Sequence, residues 1–354
     1  MIELLACHLP NEKYDIELAL VTRSTLREPQ LKRSVTIHRI DAKRVRLAAS
    51  GLVRLVRQVQ PDLILSSMFH LNFLALALRP LLPRGVRILI RQNGSASAML
   101  RDLRYRSLAR ALYQTLYRTA DHVLCQSAAM AEDLCRNFGV QAKRIAVLPN
   151  PIDIETIRTV IASSHSEWTG PGPHLLSIAR FRPEKGVDLL LHAFVEVKKQ
   201  MPTADLTIVG DGPLESQIAE LAASLTLKDC VRFTGFVSDP ARFFRDASLY
   251  VLPSRHEGMP NALLEAAAAG LPIVSTPAPE GLVEIMRGDA GCWVSDEINA
   301  SSLAQTIIAA IDEIQPGQLL PHKWIEEFSL QNALTAYQSI IDESLGLEPA
   351  RRLA

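Results

Sequence analysis

Short apolar and β-branched runs alternate with stretches of helical periodicity along nearly the whole chain. Strand-like runs fall at 16–21, 63–66, 86–91, 122–126 and 144–148 in the first half, and at 175–181, 206–209, 231–234, 249–252, 272–275 and 292–294 in the second. Helical patterns separate them. In 186–200, for example, Leu189, Leu190, Ala193, Phe194 and Val197 share one face. Strands alternating with helices predict parallel sheets covered on both sides. With 354 residues at ~150 per domain, the expectation is an α/β chain of two Rossmann-like doubly wound domains facing across a cleft. The expected boundaries are 1–153 for the first domain, 154–173 for a linker ending in Thr169-Gly170-Pro171-Gly172-Pro173, 174–328 for the second domain, and 329–354 for a closing helix that crosses back, with its tail. The beginning departs from this plan. Residues 1–9 read as a helix, with Ile2, Leu5 and Leu9 at helical spacing, where a doubly wound domain opens with a central strand. The expectation is a first domain without its first strand, from a start that precedes Met1.

Composition narrows the class. At 48% hydrophobic and 21% charged residues, the chain is neither disordered nor collagen-like nor a coiled coil. Its five cysteines have no Cys-x-x-Cys pair and no short Cys/His spacing, which argues against a zinc site or disulfide scaffold and for a reducing, cytoplasmic setting. The apolar run 71–78 is cut by Arg79 and Pro80, short of the ~20 residues that span a bilayer. The start has neither the basic flank nor the apolar run of a secretory signal. Lys+Arg and Asp+Glu number 38 each, but residues 1–150 hold 23 of the former and 11 of the latter, so the halves carry +12 and −12. The basic half suits an anionic membrane surface or a phosphate-bearing acceptor. Nucleic acid is not expected, because no helix-turn-helix, zinc-finger or RNP-like pattern accompanies the charge.

Ligands of open α/β sheets bind beyond the carboxyl ends of strands, so the loops there are the candidates for chemistry. The first in the second half, Arg180-Phe181-Arg182-Pro183-Glu184-Lys185-Gly186, places cations around a turn at a helix start, in outline a diphosphate site. Another runs from Glu257 through Gly258, Met259, Pro260 and Asn261 into a helix containing Glu265. A carboxylate among so many Leu and Ala residues calls for a partner or ligand, and a structural Arg is the plain alternative. Gly210-Asp211-Gly212-Pro213 is a third turn, but there is no Walker loop, Gly-x-Gly-x-x-Gly or Gly-x-Ser-x-Gly.

Together these loops, with Val231-Arg232-Phe233-Thr234-Gly235-Phe236, the Glu-x7-Glu spacing of Glu257 and Glu265, Gly270-Leu271-Pro272-Ile273-Val274, and Val147-Leu148-Pro149-Asn150-Pro151-Ile152-Asp153, resemble the GT-B retaining glycosyltransferases of family four over about residues 1–345. The resemblance implies transfer of a sugar from a nucleotide-diphosphate donor with retention, no cofactor and no obligatory metal. On matching positions it implies that Arg180 and Lys185 neutralise the leaving diphosphate and that Glu257 binds donor-sugar hydroxyls. Amides of Gly258, Met259 and Asn261, with Gly212, would line the sugar and phosphates, Glu265 would accept from the ribose, and the backbone of Gly235, Phe236 and Val237 would receive the base. The family's glycine-rich loop after the first strand has no counterpart here. Its reacting-carbon histidine is replaced by Arg91-Gln92-Asn93-Gly94-Ser95, which leaves Asn93, or His70 at another strand end, as a first-domain candidate with an ordinary structural role as the alternative.

On the acceptor side, residues 101–118 read as a basic helix with interleaved Leu and Tyr. With Lys32, Arg33, Lys43, Arg44 and Arg46 it would dock on anionic lipid at the inner membrane face; the plain alternative is that its Leu and Tyr pack on the sheet and the arginines are solvated. The expected acceptor is a lipid-linked or polysaccharide glycan. Two rivals remain: a nucleotide-sugar epimerase on the same fold, and a catalytically silent nucleotide-sugar binder or partner subunit.

Overall fold

Strands form where apolar residues run without interruption, and their burial shows which are covered on both faces. In the first half these are β1 (Glu17–Val21), β2 (Thr36–Ile40), β3 (Leu63–Ser67), β4 (Arg87–Arg91), β5 (His122–Cys125) and β6 (Ile145–Val147). The second half has β7 (His174–Ile178), β8 (Asp205–Val209), β9 (Val231–Phe233), β10 (Leu249–Leu252), β11 (Ile273–Ser275) and β12 (Cys292–Val294). This computed structural model describes residues 2–21, 35–101, 103–279, 281–315 and 317–347. The chain divides into one unit of Met1–Pro151 with Gln331–Ala354 and a second of Ile152–Leu330.

The first unit has a four-stranded parallel sheet, β3-β4-β5-β6, and a separate parallel pair, β1-β2. Ile88, Leu89 and Ile90 in β4 are all within 1% of full burial, as a strand covered by helices on both faces requires. Among the described residues β1 pairs only with β2, and β3 only with β4, so the strands of this unit stand in two pieces. β2 lies outside the expected strands because none of its positions is buried; its sequence Thr-Ile-His-Arg-Ile carries no fully apolar run. The helix Ala128–Phe138 is well bounded: the Ser127 hydroxyl accepts from the Met130 amide, and Gly139 closes it at φ +67°.

The second unit holds one six-stranded parallel sheet in the order β9-β8-β7-β10-β11-β12. The first strand is internal, with later strands added on either side, which is the doubly wound arrangement. Successive residues of β7 face opposite layers. Leu175 packs with Leu190, Phe194 and Leu303 on one face, while Leu176 packs with Tyr250, Leu263 and Phe328 on the other. Residues 154–173, expected as a linker, instead begin with the helix Ile154–Ser163, capped by Asp153 and packed into this unit through Ile154, Ile157 and Val160. The chain enters the unit at Ile152 and leaves it at Leu330, and these ends are bonded together: the Ile152 amide donates to Phe328 (2.8 Å) and the Leu330 amide to Ile152 (2.9 Å). Among the described residues no helix is long and apolar enough to cross a membrane.

Candidate functional site

In a doubly wound sheet the crevice opens where strand order reverses, here between β7 and β10. The loops after these two strands carry the charged motifs. Lys185 follows β7 and Glu257 follows β10, and the Lys185 ammonium lies 2.7 Å from Glu257 Oε1. The Ser254 hydroxyl donates to the same oxygen, also at 2.7 Å. Glu257 is 7% exposed and Lys185 28%, so this is a largely desolvated pair with one face open. Glu257 Oε2 has no protein partner among the described residues, which leaves a fixed acceptor aimed by two bonds to its sister atom.

Close backbone packing and one ion pair hold the loops in place. A Cβ at Gly186 would sit 2.0 Å from the Pro253 carbonyl oxygen, and the residue has φ +63°, so only glycine lets the Lys185 loop meet the strand-end of β10. Arg255 completes the clamp. Its guanidinium binds both Asp188 oxygens at 2.7 and 2.8 Å and the Pro183 carbonyl at 2.8 Å, and its amide donates to the Glu184 carbonyl at 2.7 Å. The hydrogen bond from Arg255 holds the Asp188 carboxyl below its ordinary pKa against the opposing effect of burial. Sequence reasoning missed this pair, whose members are 67 residues apart and lie in no shared motif.

Gly212 takes its place for a similar reason. A Cβ there would lie 2.6 Å from the Phe181 backbone N and O, while the Phe181 amide donates to the Asp211 carbonyl at 2.7 Å. The glycine turn therefore packs against the Arg180 loop, an explanation of its small size that needs no ligand. Arg180 itself is exposed on that loop. Gly235, at φ +69°, accepts from the Gly210 amide at 2.9 Å, which joins the ends of β8 and β9; Phe236 beside it is 63% exposed, and Val237 is half-buried.

The other acid, Glu265, lies inside the helix Asn261–Ala268, whose neighbouring Leu263, Leu264, Ala266 and Ala267 are fully buried. Pro260 stands at the N-cap of this helix. Burial raises the Glu265 carboxyl above its ordinary pKa, and the charge of Asp239 adds to the effect. Among the described residues Glu265 has no ion-pair partner, so the structural arginine considered from sequence is not found there. Burial of the Tyr250 phenol, reinforced by the charges of Glu257 and then Glu265, raises its pKa well above normal, which places both acids around one buried ring. The Met259 side chain is buried in the core, Gly258 is half-buried and Asn261 exposed.

In the first unit the strand ends are polar and buried. Arg91 ends β4 at 4% exposure and donates to the Asn93 and Asn150 side-chain oxygens and, at 3.2 Å, to the Tyr337 hydroxyl. Asn93 also donates to the Ser67 hydroxyl at 3.3 Å, which fixes it between the ends of β3 and β4. His70 sits in the first turn of the helix Phe69–Leu78 against the Phe69 ring (centroids 3.6 Å apart), and partial burial lowers its pKa. The basic segment 101–118 is not one helix. One helix ends at Arg101 and another spans Arg106–Leu116, with Tyr105 outside helical geometry between them. Tyr113 and Tyr117 pack inward, as the plain alternative had it, whereas Tyr105 (69%), Leu108 (62%) and the arginines at 104, 106 and 110 are exposed. Ser97, Leu100, Arg101, Arg106, Ser107 and Arg110 line a groove of about 330 Å³. Lys43, Arg44 and Arg46 are exposed, while Lys32 and Arg33 lie outside the described residues.

Residues 172–313 match the model of the family described as glycosyl transferases group 1, and residues 1–156 match that of glycosyltransferase family 4. The chain belongs to this glycosyltransferase family. Among similar members, the N-acetylgalactosamine-N,N'-diacetylbacillosaminyl-diphospho-undecaprenol 4-alpha-N-acetylgalactosaminyltransferase of Campylobacter jejuni is 26% identical over 68% of this chain and 65% of its own. The lipopolysaccharide core biosynthesis glycosyltransferase LpsE of Rhizobium meliloti is 28% identical over 54% of each chain. The matches thus span between about half and two thirds of these curated relatives. Anabaena HepE, solved in complex with UDP-glucose, superposes with a TM-score of 0.71 over 87% of this chain and 86% of its own at 18% identity, a likeness of GT-B fold.

Proposed function

We propose that this glycosyltransferase moves a sugar from a nucleoside-diphosphate donor to a lipid-linked or polysaccharide acceptor, with retention of configuration and without an obligatory metal. The observation that carries the reading is the desolvated Lys185–Glu257 pair at the switch point of a doubly wound sheet, with Glu265, which has no ion-pair partner among the described residues, in the helix that follows. Lys185 and Arg180 neutralise the diphosphate as the anomeric C–O bond breaks, the electrostatic task a bound cation performs elsewhere. Glu257 Oε2 accepts from a donor-sugar hydroxyl, amides of Gly258, Met259 and Asn261 line the sugar and phosphates, and Glu265 accepts from the ribose. The base lies along Gly235 to Val237. The new bond forms from the acceptor hydroxyl, whose proton passes to the departing phosphate.

For the acceptor, the Campylobacter relative's name specifies a diphospho-undecaprenol-linked glycan and the Rhizobium relative's name lipopolysaccharide core. The exposed arginines around Tyr105 and Leu108 fit a lipid-borne acceptor of this kind, held at the cytoplasmic face of the membrane by charge and two apolar side chains. A panel of uridine and guanosine diphosphate sugars, assayed for binding and for transfer, tests the reading. Lys185→Ala is expected to lower turnover by about 10²–10³-fold, with unchanged affinity for a lone nucleoside counting for diphosphate contact. Turnover at the parent rate would remove Lys185 from the site. Binding to anionic vesicles should fall steeply with salt.

A further inference from the structure

At the amino-terminal end of β12, opposite the end of the sheet that bears the donor loops, three ligand-type side chains converge. Asp289 follows the helix Val283–Arg287, Cys292 opens β12, and His322 precedes the turn Lys323–Phe328. One atom from each lies within 4.8 Å of the other two. His322 Nδ1 is 3.0 Å from Asp289 Oδ1 and 3.6 Å from Cys292 Sγ, and the imidazole is fully buried.

The second ring nitrogen decides what this arrangement needs. His322 Nε2 lies 2.7 Å from the Leu271 carbonyl oxygen, which can only accept, so the hydrogen of the neutral ring is on Nε2. Nδ1 is then a bare lone pair facing a carboxylate oxygen and the Cys292 sulfur, and it needs a bridge: a proton, from the thiol or an added one, or a metal ion. Tetrahedral zinc with Zn–N and Zn–O near 2.1 Å and Zn–S near 2.3 Å has N···O and N···S edges of about 3.4 and 3.6 Å. The observed N···S distance of 3.6 Å matches its edge, and the N···O distance of 3.0 Å opens by about 0.4 Å to admit the ion. The outer contacts are those of a metal site as well. A backbone carbonyl orients the histidine, and the Gly291 amide donates to Asp289 Oδ1 at 2.8 Å. A Cβ at Gly291 would lie 2.7 Å from His322 Cε1 and 3.2 Å from Asp289 Oδ1, so a side chain at this position would crowd both ligands. A thiolate and a carboxylate cancel a dication, and the thiolate favours zinc over magnesium or calcium.

We propose that Asp289, Cys292 and His322 bind a divalent transition-metal ion, zinc by its donor set, which staples the end of β12 to the segments around Leu271 and His322. The 29 residues between Cys292 and His322 hide this cluster from short-spacing patterns in the sequence. Asp289, at 17% exposure, is the ligand on the solvent side, where the ion enters and the fourth position takes water. The ion stands at the opposite strand ends from Lys185 and Glu257, so it stabilises the unit and takes no part in transfer.

The test uses the full chain, stripped with chelator and titrated with cobalt(II), then zinc. Expected are one cobalt per chain with thiolate-to-metal charge-transfer absorption in the near ultraviolet, displacement by zinc, a zinc-dependent rise in melting temperature, and loss of the band in Cys292→Ser. Absence of the band in the parent chain would mean that a proton, not a metal, bridges Nδ1 and Asp289; persistence of the band in Cys292→Ser would put the ion on another cysteine. Either overturns the proposal. Asp289→Asn keeps the side chain's shape and covers the case in which Cys292→Ser does not fold. It should weaken zinc by about 10–100-fold or more, and parent-like affinity would overturn the proposal independently of any transfer assay.

Discussion

The strand ends of the two units handle charge in opposite ways. In the second unit cations meet acids: Lys185 with Glu257, Arg255 with Asp188. In the first, Arg91 is buried more deeply than any of these cations, yet its guanidinium donates to two amides and a phenol, all neutral, and to no carboxylate among the described residues. Ion pairs keep interlocked loops in shape while leaving single atoms, Glu257 Oε2 among them, without a protein partner among the described residues. A cation held by neutral oxygens keeps its full charge, and it ties Tyr337 of the helix Leu330–Leu345 to the end of β4. The lesson is that counting ion pairs would find the first site and overlook the second.

Substitutions can break this contrast. The largest stability effect is expected for Arg91→Ala, which removes a donor shared by the buried Asn150 and Tyr337 oxygens and the exposed Asn93 and leaves a void, costing about 3 kcal/mol by urea denaturation. A loss near zero would mean that the neutral cradle is solvated and the contrast false. Gly186→Ala should cost about 2–3 kcal/mol, from backbone strain at positive φ together with the clash against Pro253, and should weaken donor binding as Lys185 shifts. Retained stability with retained binding would show that the loops are loosely apposed.

Smaller effects sharpen the comparison through pH. The Glu265 carboxyl has a raised pKa in the folded chain, so its share of stability is fully present below ~4.3 and is lost as pH rises through the folded value. Glu265→Gln should therefore stabilise the protein by about 1 kcal/mol at neutral pH, with no gain in acid, while weakening nucleoside-diphosphate binding. A destabilised variant would point to a structural partner. Asp188 runs the other way. Its pKa is depressed, so its contribution is present above ~3.9 and is lost as pH falls through the lower folded value. Asp188→Asn should cost about 0.5–1 kcal/mol at neutral pH, discounted for exposure of the pair, and melting curves of the two proteins should converge in strong acid.

Much of the fold was legible because buried parallel strands are uninterrupted apolar runs: Ile88 to Ile90 and Leu249 to Leu252 announce themselves. β2 did not, since a half-exposed strand with His38 and Arg39 has no such run. At the site, the loops were readable because strand order alone sends residues after β7 and β10 to one crevice. What closes those loops was not, because Arg255–Asp188 and Arg91–Tyr337 join residues 67 and 246 positions apart. The break in the basic segment was also hidden. It follows an anchored turn in which Asp133, held in its charged form against the effect of burial by Ser97, Asn137 and Ser95, fixes the start of the preceding helix, and no local pattern records that contact.

The glycine contacts at 186, 210 and 212 bind the ends of β7, β8 and β10 to one another through main-chain atoms. A guest arriving there finds furniture already bolted down, since the freedom of those peptides was surrendered during folding and little further ordering accompanies association. Side chains around this frame can then be exchanged without having to rebuild it.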